Sequence, residues 1–323
     1  MHNIKSLLTA ILCTIASSIA LAQPYPNKPI KFVIPFPAGG GTDIFARTVG
    51  QKLTENYKWT VIPENKPGAG GNLGIEAVAN ALPDGYTIGL GQTSNLAINP
   101  TLYPKLPYDP SKDLSPIILV ASSPLVIVVA ANSPFKNFAD IVAAAKVKPN
   151  QITYGSPGNG TVAHLGMELL QKTAGIDLLH IPYKGSAQAL TDIVGGQIQI
   201  YASSVPTAMG QIKDGRLRAI AVTSLKRSPS LPETPTIAES GWPSFEAITW
   251  FGFVAPAKTP APIIKELNSK IGEVLKSADV RKKLMGEGGE ILAEQLPGQL
   301  VLALIVPVHG TFANPRGRGQ ILD

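Results

Sequence analysis

Cysteine is nearly absent: the one cysteine in 323 residues, Cys13, lies in an N-terminal apolar segment. The rest of the chain has no thiol for disulfide or redox chemistry, so an exported form of it is stabilised by its core alone. Histidine is also scarce, with four residues. Only His164, His180 and His309 follow the N-terminal segment, and their spacing is not that of metal ligands. Nucleophile and phosphate motifs are missing too. Gly155-Ser156-Pro157-Gly158 is not a G-x-S-x-G elbow, and Gly39-Gly40-Gly41-Thr42 does not lead into Gly-Lys-Ser/Thr. The formal charge is +6, yet the basic residues are scattered, with no run longer than Arg281-Lys282-Lys283. A nucleic-acid binder shows a clustered basic stripe. These absences argue against an enzyme, a metal centre and a nucleic-acid partner, and no cofactor is expected.

What is present begins with a leader. Lys5 is followed by an apolar stretch from Leu7 to Ile19 and by the small-residue sequence Ala20-Leu21-Ala22, the pattern of a secretory signal cleaved after Ala22. The stretch falls short of the ~20 residues that span a bilayer, and Gln23-Pro24-Tyr25-Pro26 breaks any helix. A periplasmic location is expected.

Three glycine loops then stand out: Pro35 to Asp43, Pro67 to Asn72, and Gly155 to Thr161. Each follows a short β-branched run and opens a segment of helical periodicity. A strand, glycine turn and helix start aims unpaired N–H groups and the positive end of a helix dipole at one point. With no catalytic signature nearby, the loops suggest a site for a small carboxylate. The amides of Ala38, Gly39 and Gly40 suit one carboxylate, because glycine lets a ligand approach without a Cβ clash. Ser156 and Thr161 offer hydroxyls for a second, and Phe36 and Tyr183 would wall the pocket. Thr42 or Asp43 reads as a helix cap, His164 as a packed or hydrogen-bonding histidine, and Trp250 as packing.

Strand-like and helical segments alternate along the chain. Ile30–Ile34, Thr60–Ile62, Thr87–Leu90, Leu125–Ala130, Ile152–Tyr154, Leu178–Ile181, Ile198–Tyr201 and Leu217–Val222 read as strands. Phe45, Val49 and Leu53 fall on one helix face, and Ile263–Leu275 reads as a long helix. This pattern implies an α/β fold of mostly parallel sheets flanked by helices. The apolar run at 125–130 reads as a parallel strand covered on both faces. Crossings near 121–124 and 228–235 suggest two lobes, 23–122 with 228–323 and 123–227, with a ligand cleft between them.

Taken together, several stretches resemble the tripartite tricarboxylate transporter substrate-binding receptors of the Bug type. They are Tyr25 to Ile30, Pro35 to Asp43, Asn65 to Gly71, Pro83-Asp84-Gly85-Tyr86-Thr87, Tyr154 to Ser156 through His164-Leu165, Pro182 to Gly185, Gly215 to Ala219, Pro235 to Gly241 and Trp250-Phe251-Gly252. The likeness runs from about residue 24 to 294. It implies a monomeric two-lobed periplasmic binding protein (type II-like) that closes around a small carboxylate. It further implies delivery to a membrane permease of one large and one small subunit; a sensor presenting the ligand to a signalling partner is the alternative. Family members hold ligand through the loop after the first strand, partly by ordered water, and through the glycine-serine loop of the second lobe. The resemblance and the loops together nominate Phe36, Ala38, Gly39, Gly40, Asp43, Ala69, Gly70, Ser94, Ser156, Gly160, Thr161, His164, Tyr183 and Ser203 as ligand contacts.

Two departures from the family pattern matter. Where many relatives carry a hydrophobic-aspartate step, this chain reads Ile200-Tyr201-Ala202-Ser203-Ser204, which removes a partner for a ligand ammonium. In place of a charged amphipathic helix, the chain from about 296 runs through an apolar segment, Leu300 to Val308, into turn-rich sequence. That change reads as a reading-frame shift near 295–299 or a divergent tail, exposing apolar surface on the first lobe.

Overall fold

A computed structural model describes residues 25–294. The leader and the atypical tail, with the expectations attached to them, lie outside the described residues.

The chain begins as two βα units. Strand β1 (Ile30–Ile34) pairs in parallel with β2 (Val61–Asn65) and β3 (Thr87–Gln92). Helix α1 (Gly41–Tyr57) makes the first crossover, burying Phe45, Val49 and Leu53, and stops where Lys58 turns left-handed. Helix α2 (Asn72–Ala79) makes the second. A π turn at Ser94–Ile98 runs into the short helices α3 (Asn99–Leu102) and α4 (Pro110–Asp113). Strand β4 (Leu114–Ala130) then spans both halves of the molecule.

The second half continues with α5 (Phe138–Val147), β5 (Thr153–Ser156), α6 (Val162–Ala174), β6 (Leu179–Pro182), α7 (Ser186–Val194), β7 (Ile200–Ser204), α8 (Val205–Lys213) and β8 (Leu217–Val222). Strand β9 (Ile248–Pro256) returns to the first sheet, where α9 (Ala261–Lys276), α10 (Ala278–Gly286) and β10 (Glu290–Glu294) complete the first half. Helix α9 covers that sheet with buried Leu267, Ile271, Val274 and Leu275.

The sheets are mixed, not mostly parallel. Along the whole assembly the order is β2-β1-β3-β9-β4-β7-β5-β6, with β8 and β10 also on β4. Strand β9 runs antiparallel to β3 and β4, and β4 runs antiparallel to β7, β8 and β10. The apolar run 125–130 is therefore an antiparallel strand. Its composition follows from burial and not from strand direction: Leu125, Ile127 and Val129 enter one core, Val126 and Val128 the other. The first half closes on Phe32 against Phe253 at 4.8 Å and Phe45 against Phe251 at 4.7 Å.

The return to the first sheet comes later than the proline-rich stretch suggested. Leu231, Ile237, Phe245 and Ala247 are buried in the cores of the second half, and Ile237 donates to the Val222 carbonyl at 2.9 Å. These apolar residues follow no regular period, so they gave no signal against a linker.

Where the strands cross between halves, one side chain joins three segments. Thr223 Oγ1 accepts from the Leu125 amide at 2.8 Å and donates to the Ala247 carbonyl at 2.6 Å. The Thr223 amide donates to Leu125, and the Ala247 amide to Thr223, both at 3.0 Å.

Candidate ligand-binding cleft

Helices α1, α6, α7 and α8 all begin at one cavity of about 50 Å³ between the halves. Gly41 and Thr42 reach it from α1, Val162 and Ala163 from α6, Ser186 from α7 and Thr207 from α8. Gln92 at the end of β3, with Leu125, Thr249 and Phe251 on the crossing strands, closes the remaining wall. Among the described residues, no Asp, Glu, Lys or Arg lines it.

Its electrostatics therefore come from the backbone. The N–H groups of Thr42, Val162 and Ala163 have no acceptor among the described residues. They sit in first helical turns, where each macrodipole presents about half a positive charge. Helix dipoles converging on one cavity favour an anion and disfavour a cation.

The loops that present these amides are fixed from behind. Buried Asp43 accepts from the Gly39 amide at 3.0 Å, from Arg47 Nε at 2.8 Å and from Asn65 Nδ2 at 2.9 Å. Asn65 Nδ2 also donates to the Phe36 carbonyl at 2.9 Å. On the other side, Thr161 caps α6: its hydroxyl accepts from the His164 amide at 3.3 Å and donates to the Gly158 carbonyl at 2.7 Å.

The halves meet through bare backbone. Gly41 donates across the cleft to Thr207 Oγ1 at 3.0 Å. A Cβ on Gly185 would lie 2.3 Å from Pro37 Cγ, and one on Gly70 would lie 2.9 Å from the Asn159 carbonyl. Both glycines have positive φ, +131° and +65°, so side chains are disfavoured there for two reasons.

Residues 45–299 match the tripartite tricarboxylate transporter family receptor. The chain belongs to that family. It is 36% identical over 292 residues to Protein BugT of Bordetella pertussis, covering 88% of this chain and 89% of that one. Among solved structures, periplasmic binding protein BugD superposes with a TM-score of 0.82 at 35% identity, over 88% of this chain and 94% of BugD. An R. palustris protein solved with adipate superposes at 0.85 and 33% identity, over 89% of this chain and 97% of that one. This receptor is thus a Bug-type member with the α/β periplasmic binding protein fold.

Of the contacts nominated from the receptor's sequence, Phe36, Gly40 and Thr161 line the cavity. Ala38, Gly39 and Ala69 are exposed, and the Gly39 amide is held by Asp43. Gly70 and Gly160 lie at the contact between halves, beside Asn159 and Asn99 respectively. Ser94 and Ser203 are fully buried and donate to the carbonyls of Gly70 and Ser204. The Tyr183 hydroxyl donates to Asp192 at 2.8 Å, and burial together with that carboxylate pushes its pKa up to about 12. Trp250 packs in the first half's core.

Ser156 is fully buried and turns away to His180, with Oγ 2.7 Å from Nε2. Burial pushes the His180 ring down to about 4, with the neighbouring His164 adding to the shift. His164 is also lowered by burial, against the opposing pull of Glu168.

The reading from sequence missed Gln92, Ser186, Thr207 and Thr249. Thr207 did carry a signal, because Pro206 just inside α8 marks a helix start. Ser186 stands at the start of α7, directly after the Pro182 to Gly185 stretch, while Gln92 and Thr249 are isolated polar residues in no motif, brought to the cleft by long-range strand pairing.

Proposed function

We propose that the protein is an extracytoplasmic receptor that captures a small carboxylate in this cleft and delivers it to a membrane permease of one large and one small subunit. The observation that carries this reading is the set of helix-start residues from opposite halves, with amides unpaired among the described residues, that line one cavity without an ionised side chain. A dicarboxylate would place one carboxylate on the α1 turn and the other on the α6 turn. The adipate in the R. palustris relative and the secretory pattern of the leader support the same reading.

The Ser156–His180 pair has the spacing of a nucleophile and its base. Ser156, however, has no exposed surface, and the described hydrogen bonds give the His180 ring no carboxylate partner. A scaffold role for the pair fits better than hydrolysis, and the receptor acts by binding.

The ligand carries no essential ammonium group in this reading. Ser203 and Ser204 fall in the stretch where the family resemblance leads one to expect a hydrophobic-aspartate step, and the Asp43 oxygens are already taken by Gly39, Arg47 and Asn65. Glu246 lines a different hollow, beside Trp242 and Leu169. Calorimetry with succinate, malate, glutarate, adipate, aspartate and glutamate tests both claims. At least one of the four plain diacids should bind, and the amino diacids should bind tenfold or more weakly. No heat from any diacid, with protein verified as folded and ligand-free, would sink the carboxylate reading. Preference for glutamate over glutarate would sink the ammonium argument alone.

A further inference from the structure

Three stacked rings lie behind the loop that presents the α6 amides. Tyr154 and His180 are 4.7 Å apart at 20°, and His180 and His164 are 4.3 Å apart at 19°. Each imidazole holds one end of the loop. Ser156 Oγ sits 2.7 Å from His180 Nε2, and the Gly160 amide donates to His164 Nδ1 at 3.3 Å. Between these two points the chain passes through Gly158 and Gly160, both at positive φ, before α6 begins.

The protonation states follow from the donors. A backbone amide only donates, so His164 Nδ1 is an acceptor here. Ser156 Oγ accepts from the Gly158 amide at 3.3 Å, and its own proton has two acceptors in reach, the Gly158 carbonyl at 3.3 Å and His180 Nε2 at 2.7 Å; when it takes the shorter contact, Nε2 is the acceptor. An imidazolium has no acceptor nitrogen, so protonation of His164 breaks its bond from the Gly160 amide, and protonation of His180 breaks the bond from Ser156 in the arrangement where Nε2 accepts.

We propose that His164 and His180 are positioning residues for the ligand loop and that their protonation frees it, so that the receptor releases its carboxylate on acidification. The proposal rests on the reading of the cleft as the ligand site.

The titratable groups facing the pair are few. Tyr154 comes from β5 and Glu168 from α6, and the Glu168 carboxylate accepts from Tyr154 and from Gln171 Nε2. Its negative charge favours a protonated His164, but burial and the second ring oppose this and prevail, leaving both rings below their ordinary value. Once the loop is freed, the rings return toward about 6.5. The freed state therefore binds protons more tightly than the held state, and lowering the pH from 7 toward 5 favours release. Ligand carboxylates with pKa values near 4 stay largely ionised over that range, so the effect is separable from ligand protonation.

The test is the affinity for the tightest-binding plain diacid of the panel, measured from pH 7.5 to 5.0 at constant ionic strength, for wild type and His180→Phe. Phenylalanine keeps a ring in the stack and removes its nitrogens. Wild type should lose about tenfold in affinity over this range. The variant should bind more weakly at pH 7.5 and, with only His164 left to titrate, lose clearly less affinity than wild type over the range. Nitrogen NMR of the ligand-free wild type supplies a measurement that needs no substitution: the amides of Gly158 and Gly160 should shift with the same midpoint as the two rings. Flat wild-type affinity to pH 5.0, an undiminished slope in the variant, or loop amides that ignore the ring titration would each overturn the proposal. Failure of every diacid to bind at pH 7.5 would instead overturn the cleft reading, and the release step with it.

Discussion

Val162 is the first residue of α6, it lines the cleft, and its N–H has no acceptor among the described residues. Proline is well tolerated at a first helical position and lacks only that N–H. The preceding Thr161 already has φ −74° and ψ 156°, the extended conformation a following proline requires. Val162→Pro should therefore keep the fold and delete one donor. A hydrogen bond to a charged group contributes about 1.5–3 kcal/mol, so diacid affinity should fall roughly tenfold to a hundredfold, with Val162→Ala as the control for side-chain loss. Unchanged affinity in Val162→Pro would place the carboxylate elsewhere. The same residue scale corrects the expected cap: α1 has Gly40 as its N-cap with no side-chain bond, Thr42 and Asp43 lie inside its first turn, and Asp43 instead holds the loop before it. A carboxylate beside glycines reads equally as support for a loop or as part of its site, and only the distances to Gly39, Arg47 and Asn65 decide for support.

At the scale of elements, α6 depends on Thr161, which closes its first turn and ties it to Gly158. Removing a threonine cap costs about 0.5–2 kcal/mol. Thr161→Ala should lower the urea midpoint by that amount of stability with an unchanged slope, and a shift smaller than that range would mean that the loop is held chiefly by the histidine stack. Most elements were readable because their cues are local. The Phe45, Val49 and Leu53 face defines α1, and the glycine turns fix where α1 and α6 begin. What local cues did not carry was strand direction and return. An apolar run such as 125–130 looks the same in a parallel or an antiparallel sheet, provided both faces are covered. Strand β9, which joins β3 to β4, alternates too little to stand out, since all but its first residue are buried. The 231–247 segment has apolar residues at irregular spacing, so its packing onto the second half left no periodic trace. The same limit hid part of the cleft. Gln92 and Thr249 reach it through strand pairings that span scores of residues, whereas Phe36 and Thr161 sit in loops that announce themselves.

Across the whole molecule, the joints at the cleft and at the strand crossing differ in how they can come apart. The Gly41 amide is bonded only across the cleft, to Thr207, so any parting of the halves uncovers it. The amides of Leu125, Thr223 and Ala247 are bonded among themselves at the crossing, and a rotation of one half against the other leaves them covered. Amide hydrogen exchange separates such local openings from deeper unfolding. Gly41 should exchange quickly in the free receptor and slow in proportion to ligand saturation, while Leu125 and Ala247 exchange slowly with or without ligand. Equal rates at the two places would mean that the cleft opens only when the crossing unravels. The rate at one glycine thus becomes a direct gauge of how often the empty receptor lies open to its surroundings.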